Sequence, residues 1–134
     1  MSISFTRKLL SWYAEQERNI PWRGVSDPYV VWVSEIMAQQ TRIETVIPYF
    51  KKWFDVFPDV QALANAKQQD VLKLWEGLGY YSRARNMHRA AQVIVSDFDG
   101  QIPSDVAALK TLPGIGDYTS AAIASLAFGL DEVA

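Results

Sequence analysis

The sequence predicts a single all-α domain. Apolar residues recur at helical spacing along most of the chain, and no segment alternates convincingly as a strand would. Proline and glycine separate the apolar segments, which indicates helices joined by short turns. A length of 134 residues is also usual for one domain with its own core. We therefore expect residues 1–134 to form one helical domain.

The first two predicted helices flank an ordered loop. Apolar residues between Phe5 and Tyr13 lie on one face of an amphipathic helix, which ends before "NIPWRG". Asp27 followed by Pro28 is typical of an N-cap with proline at the first helical position. These two residues open the helix "YVVWVSEIMAQQ".

The remaining helices follow with short connections. Thr41 and Glu44 have the spacing of a capping box, which predicts that a new helix starts there, with a kink near Pro48. The later helical segments are "VQALANA", "QQDVLKLWEGLG", "SRARNMHRAAQVIVSDF", "SDVAALKTL" and "DYTSAAIASLAFG".

Charge and composition exclude several kinds of site. Thirteen Lys and Arg against fifteen Asp and Glu give a net charge of −2, so a nucleic-acid partner can be argued only from local patches. The absence of cysteine excludes disulfides and thiolate metal sites within these residues. The single histidine, His88, has no visible partner, and we interpret it as a surface or DNA-contacting residue. Without a signal peptide or an apolar run of roughly 18 residues, we expect a soluble intracellular protein.

The segment "LPGIGDYTSAA", residues 112–122, is the strongest local signal. Gly114 and Gly116 flank one apolar residue in a turn that opens onto a helix, whose free N–H groups and dipole suit a phosphate. An isolated G-x-G more often only ends one helix and starts the next. Here the flanking "LP" and "TSAA" favour a hairpin that binds DNA. The unit at about residues 104–129 resembles the helix-hairpin-helix motif of DNA-binding proteins. The negative charge of Asp117 would disfavour a phosphate at this turn, and the positive charge of Lys110 can offset that of Asp117.

A second cluster lies in "GLGYYSRARNMHRAA", residues 77–91. A Gly-rich turn presents Tyr80 and Tyr81 ahead of Arg83, Arg85 and Arg89, a combination that suits stacking on bases and contact with phosphates. Taken alone, the cluster is better explained by two core tyrosines beside a solvated basic surface.

Glu35 is the one carboxylate in the apolar segment "VVWVSEIMA". Its helical neighbours Val31, Trp32, Ala38 and Gln39 should shield it partly from water, which favours the protonated acid near neutral pH. Such a group can act as a general acid. On position alone, a Glu that packs its stem on Trp32 and pairs with water or an arginine is the commoner case.

Four segments, "PWR", "SEIMAQQTRIETVIPYF", "LWEGLGYYSRARNMH" and "LPGIGDYTSAAIASLAFG", together resemble the N-terminal catalytic region of the MutY family of adenine DNA glycosylases. The resemblance runs from about Trp12 to the end, with the motifs in the family's order and spacing. It implies the helix-hairpin-helix glycosylase fold, of which this chain supplies the larger part of a six-helix barrel. It also implies hydrolysis of the N-glycosidic bond of a flipped-out adenine that was mispaired with 8-oxoguanine or guanine.

The resemblance assigns a role to each matching residue. Glu35 matches the catalytic acid that protonates N7 of adenine, and the adenine pocket corresponds to Arg18, Trp22, Arg23 and Ala38, the last where many members carry leucine. The positions that match DNA contacts are Gln40 and Thr41 opposite the flipped base, Leu78, Gly79 and Tyr80 in the intercalating loop, and Gly114, Ile115, Gly116 and Tyr118 at the hairpin. Related glycosylases with lyase activity carry lysine at the position of Tyr118, so a monofunctional hydrolase is implied.

The resemblance also implies parts that these residues do not contain. The family's second catalytic Asp, its four iron-sulfur cysteines and its C-terminal domain for oxidised guanine would follow Ala134, and Asp131 is in the wrong context to replace that Asp. We therefore expect this chain to be inactive alone and to bind no cofactor, apart from a monovalent cation at the hairpin. A 4Fe-4S cluster is expected in the full-length protein.

The implied partner is double-stranded DNA carrying adenine opposite 8-oxoguanine or guanine, with no membrane partner. The full-length protein is expected to be a monomer in the bacterial cytoplasm, at the nucleoid. Two alternatives stay open: a related helix-hairpin-helix glycosylase for another mispaired or oxidised base, and a non-catalytic DNA-binding module in which Glu35 is structural.

Overall fold

The computed structural model describes residues 27–39 and 42–129, which form seven helices and no strand. The helices are α1 Pro28–Ala38, α2 Ile43–Val56, α3 Val60–Asn65, α4 Gln68–Trp75, α5 Ser82–Asp97, α6 Val106–Leu109 and α7 Asp117–Phe128. The all-α fold class is confirmed. The predicted helix near residues 5–13 and the loop "NIPWRG" lie outside the described residues. None of the described helices has the length and apolarity to cross a membrane.

Helix α1 is buried on all sides rather than along one stripe. Every residue from Tyr29 to Ala38 is buried, as expected for a helix that is apolar around most of its circumference. The helix begins as predicted, because the Asp27 side chain accepts the N–H of Tyr29 at 2.9 Å and Pro28 occupies the first position. Helix α7 packs against α1. Glu35, in the middle of α1, therefore lies in the interior of the domain.

An aromatic cluster joins α1 to α2 and α4. The Trp53 ring packs edge-to-face on Phe57 and Trp75, with centroid separations of 5.2 and 5.9 Å. The Tyr29 hydroxyl donates to the carbonyl of Phe57 at 2.7 Å and accepts the indole N–H of Trp53 at 3.1 Å. One hydroxyl thus satisfies two buried polar groups.

The start of α2 differs from the predicted capping box. The helix begins at Ile43 with Arg42 as its N-cap, and no side chain caps it, whereas the capping box requires Thr41 at the cap position. Thr41 itself lies outside the described residues. Pro48 lies inside α2, which continues past it to Val56.

The interpretation of His88 as a surface or DNA-contacting residue is wrong. His88 is only 5% exposed, on α5, the helix against which α3 packs. Its Nε2 lies 2.8 Å from the carbonyl oxygen of Ala66, the C-cap residue of α3, and must donate to it. This hydrogen bond satisfies a carbonyl at a helix end, so His88 fixes the packing of α3 on α5.

Tyr29→Phe is expected to lower the free energy of unfolding by about 1–3 kcal/mol. The change removes only an oxygen, but it leaves the Phe57 carbonyl and the Trp53 indole N–H without that partner in a buried site. Urea unfolding measures the effect. The matched control is Tyr49→Phe, at a half-buried tyrosine, which should stay within about 0.5 kcal/mol of wild type. Equal effects of the two substitutions would contradict the proposed role of the Tyr29 hydroxyl.

Candidate active site and nucleic-acid interface

The hairpin between α6 and α7 is anchored by its apolar residues and keeps its glycines at the surface. Leu112 and Ile115 are buried, whereas Gly114 and Gly116 are exposed. Gly114 has φ of +78°, a conformation that favours glycine. A Cβ at this position would stand 2.8 Å from the Cβ of Asn86 on α5, so the hairpin lies directly on that helix.

The N-terminus of α7 is open. Gly116 is its N-cap, no side chain caps it, and the amide of Ser120 bonds to the Gly116 carbonyl at 3.0 Å. The amides that precede Ser120 have no partner within the helix, as at any helix N-terminus. Because the flanking Gly116 and Asp117 are exposed, an anion such as a phosphate could reach these amides.

Lys110 neutralises the one acidic residue at this helix end. Its Nζ lies 2.7 Å from Oδ1 of Asp117, and both side chains are exposed. The hydrogen bond from Lys110, and then its positive charge, hold the pKa of the Asp117 carboxyl below its ordinary value. The offset expected from the sequence is confirmed.

The loop between α4 and α5 holds an aromatic ring in solvent. Tyr80 is 63% exposed and has φ of +51°, which is unusual for a bulky residue. The indole N–H of Trp75 donates to the carbonyl of Gly79 at 2.9 Å, and the partly buried Leu78 packs on the core. Tyr81 is exposed as well, so the tyrosines are presented at the surface and are not core residues.

Arg83 connects this loop to α1. Its Nη1 donates to the carbonyl of Gln39 at 2.9 Å, and its Cζ lies 4.9 Å from the centroid of the Tyr80 ring. Gln39 in turn donates from Nε2 to the Thr119 hydroxyl of α7 at 3.3 Å. From its sequence, Arg83 was grouped with Arg85 and Arg89 as a candidate phosphate contact. In the structure its guanidinium contacts the protein itself, and its acceptor lies 44 residues earlier in the chain.

Glu35 and Tyr118 come together where α1 packs on α7. Among the residues that the structure describes, Glu35 is the only buried carboxylate, and its burial is complete where partial burial was expected. The Tyr118 hydroxyl is also shielded from water and has no hydrogen-bond partner within residues 27–39 and 42–129. Its burial, and secondly the nearby charge of Glu35, raise the pKa of the Tyr118 hydroxyl above its ordinary value of 10.0. The site thus pairs a buried acid with a neutral hydroxyl.

The structure describes only part of the predicted adenine pocket. Ala38 is fully buried at the end of α1. Arg18, Trp22, Arg23, Gln40 and Thr41 lie outside the described residues.

The structure has a cavity near the predicted site residues and a larger groove away from them. A cavity of about 170 Å³ between α1, α5 and the hairpin is lined by Trp32, Ile36, Gln39, Arg83, Asn86, Met87, Pro113 and Gly114, but not by Glu35. A groove of about 850 Å³ between α2 and α4 contains none of the predicted site residues. The described residues contain no cluster of three or more His, Asp or Glu that could hold a metal ion.

Comparison with known proteins places this geometry in a repair family. Residues 33–132 match the family of HhH-GPD superfamily base excision DNA repair proteins. An adenine DNA glycosylase of Mus musculus is 43% identical over 134 residues, covering 93% of this chain and 26% of the mouse protein. One of Buchnera aphidicola subsp. Baizongia pistaciae is 42% identical over 130 residues, covering 96% of this chain and 37% of that protein. The chain therefore spans a quarter to somewhat over a third of the length of these relatives.

The fold is also found in a solved glycosylase structure. A thermostable thymine-DNA glycosylase superposes with a TM-score of 0.73 at 30% sequence identity, covering 94% of this chain and 58% of that one. The helix-hairpin-helix glycosylase fold predicted from the sequence is confirmed.

Gly114→Ala is expected to destabilise the protein by about 1–3 kcal/mol. A side chain at φ of +78° is strained, and the new methyl group would collide with Asn86. Gly116→Ala is the matched control, because its φ is −101° and a Cβ there meets no atom within 4 Å. Urea unfolding of both variants compares them, and an equal loss of stability at the two glycines would contradict the close contact at Gly114.

Tyr118→Phe is expected to reduce the loss of stability at alkaline pH. Since the pKa of Tyr118 is raised in the folded state, the stability contributed by its neutral form is complete below the unfolded value of 10.0 and is lost as pH rises through the folded value. Wild type and variant should differ by a constant free energy of unfolding below about pH 9 and diverge above about pH 10, where wild type falls more steeply. Unfolding curves that stay parallel throughout would contradict the burial of this hydroxyl.

Proposed function

The chain belongs to the HhH-GPD superfamily of base excision DNA repair proteins, and from this premise we propose that it forms the base-excising part of an adenine DNA glycosylase. The proposed reaction is hydrolysis of the N-glycosidic bond of adenine mispaired with 8-oxoguanine or guanine. The observation that carries the proposal is the fully buried Glu35, placed beside Tyr118 at the start of the helix that the hairpin opens.

Glu35 is proposed to be the general acid. Removal from water favours the protonated form of a carboxyl, which can then donate its proton to N7 of adenine. The base leaves as a neutral molecule while the sugar takes on cationic character. Tyr118 stays neutral at physiological pH, because burial raises the pKa of its hydroxyl above the ordinary value of 10.0. It therefore places a dipole, and no second charge, beside the acid.

DNA binding is proposed to use the hairpin and the Tyr80 loop. The open amides at the N-terminus of α7 suit a backbone phosphate, and the exposed Tyr80 ring suits insertion beside an extruded nucleotide. Gln40 and Thr41, directly after α1, are assigned to the opposite base by the family resemblance. Base flipping would bring the target adenine to Glu35.

Adenine is favoured over other bases by the names of the relatives that are 42% and 43% identical. The similarity to a thymine-DNA glycosylase makes thymine in a mispair the second candidate substrate. The reaction is proposed to be pure hydrolysis, because Tyr118 has no amine for a Schiff base. Lys110, near the same helix end, is paired with Asp117.

We propose that the remaining components of the site are supplied by a longer protein, since the chain spans only 26% and 37% of two relatives. Glycosidic displacement commonly needs a second carboxylate, which the family resemblance places outside these 134 residues, so we propose that they are inactive alone. The chain has no cysteine, so it supplies no thiolate to the 4Fe-4S cluster that the resemblance implies, and no proposed step depends on that cluster. A monovalent cation at the hairpin, a monomeric full-length protein and a cytoplasmic location at the nucleoid stay predictions.

Glu35→Gln in the complete gene product is expected to slow excision by about 10²–10⁴-fold, because glutamine cannot donate the proton. Duplex affinity should change little, since the substitution keeps the shape of the side chain. Single-turnover excision on duplexes with adenine opposite 8-oxoguanine or guanine, and thymine opposite guanine, measures both the activity and the base. The product strand should stay intact until it is treated with alkali.

Glu44→Gln is the matched control, since it makes the same chemical change at an exposed position on α2. It should retain wild-type excision. A fully active Glu35→Gln protein would overturn the assignment of the acid, and excision of thymine alone would replace the proposed substrate.

A further inference from the structure

We propose that Arg83 is a positioning residue, which ties the Tyr80 loop to Gln39 at the C-terminal end of α1 and so holds the Tyr80 ring in one arrangement for contact with DNA. This inference rests on the proposed function, because it concerns how that site engages DNA. It assigns Arg83 a contact within the protein, whereas Arg85 and Arg89 on the same helix are exposed.

Arg83 differs from the other arginines of its helix. Arg85 and Arg89 are exposed, and Arg89 donates to Oδ1 of Asn86, one turn away on the same helix, at 3.5 Å. Arg83 is half-buried and donates across the fold to the Gln39 carbonyl at 2.9 Å, while its guanidinium lies against the Tyr80 ring. A guanidinium that donates a hydrogen bond from its edge and stacks its face on an aromatic ring is held in one orientation.

The acceptor on α1 lies at a critical place. Gln39 is the C-cap of that helix, with extended dihedral angles of φ −68° and ψ 123°, so the helical hydrogen-bonding pattern ends there. Its carbonyl is bonded by Arg83, and its side chain donates to Thr119 at 3.3 Å. Gln39, at the end of α1, is therefore tied to both α5 and α7.

The loop at the other end of this contact needs support. Tyr80 has φ of +51°, a conformation that costs free energy for a side chain of this size. Arg83 contacts it twice, because the Arg83 amide donates to the Tyr80 carbonyl at 3.0 Å and the guanidinium covers the ring at 4.9 Å. A ring held in advance needs less ordering when DNA binds. Loss of Arg83 should therefore weaken discrimination between target and matched DNA and leave general attraction to DNA unchanged.

The test compares Arg83→Ala, Arg83→Lys and the control Arg85→Ala in the complete gene product. Binding to target and matched duplexes is measured over a range of salt concentrations. Arg83→Ala is expected to reduce the ratio of target to matched affinity by about tenfold, with the wild-type salt dependence, since no phosphate contact is lost. Arg83→Lys should reduce the affinity ratio by a similar factor, because an ammonium group cannot hydrogen-bond to the Gln39 carbonyl and cover the Tyr80 ring at the same time. Arg85→Ala should keep the wild-type ratio.

A double-mutant cycle tests whether Arg83 acts through Tyr80. In a Tyr80→Ala background, Arg83→Ala should reduce the ratio by less than about threefold, because the ring that it positions is already absent. Additive effects would overturn the proposal. If Arg83→Ala keeps the wild-type affinity ratio but lowers the salt slope by about one, Arg83 contacts a phosphate and the proposal is overturned. A wild-type affinity ratio in Arg83→Lys would overturn it as well.

Amide hydrogen exchange of residues 77–81 in the DNA-free protein separates this inference from the proposed function. Exchange should become faster in Arg83→Ala and stay at the wild-type rate in Arg85→Ala, whichever base the protein excises. If wild type excises no adenine but this difference is present, the proposed function fails and the coupling stands. Unchanged exchange overturns the coupling. If Arg83→Ala does not fold by circular dichroism, Arg83→Lys takes its place with the same expected results.

Discussion

The burial of α1 on every side is the constraint on which the rest of this structure depends. A helix without an exposed face can satisfy its polar side chains only inside the protein, and the Ser34 hydroxyl shares its proton between the carbonyls of Val30 and Val31, at 2.8 and 2.9 Å. Glu35, the next residue, brings an ionisable carboxyl into the same interior. Burial of a carboxylate costs free energy that an apolar side chain at this position would not. The burial of Glu35 is therefore consistent with its proposed role as the general acid.

Both proposed DNA-contacting elements are connected to this helix. Helix α7 packs on α1, and the hairpin forms the start of α7, so the open amides lie in the same first turn of α7 as Thr119, which accepts a hydrogen bond from Gln39. The Tyr80 loop reaches the end of α1 through Arg83. The hairpin and α5 also meet directly, where Gly114 lies against Asn86. A rigid helix thus positions acid, hairpin and loop together, which a site of this precision requires.

Two local signals predicted local structure correctly, whereas the capping box expected from Thr41 and Glu44 was wrong and contacts across the fold were missed. The cap by Asp27 and the ion pair of Lys110 with Asp117 involve residues at most seven positions apart, and both were predicted. The prediction for His88 failed because its hydrogen-bond partner, the Ala66 carbonyl, lies 22 residues earlier in the chain. The Arg83 contact spans 44 residues, so no local pattern could identify its acceptor. The local sequence around Tyr80 favoured a core tyrosine, and only the family resemblance predicted a tyrosine in an intercalating loop. The structure shows the Tyr80 ring exposed.

A chain with a net charge of −2 cannot depend on long-range attraction to bind DNA. The hairpin offers amides, which carry no formal charge, and its one carboxylate is neutralised by Lys110. The charge of Arg83 is directed into the protein, which leaves Arg85 and Arg89 exposed on that helix. Tyr80 is already held in a strained conformation by contacts from Trp75 through Gly79 and from Arg83. The cost of ordering the loop is met during folding, so the proposed recognition depends on preformed geometry more than on charge.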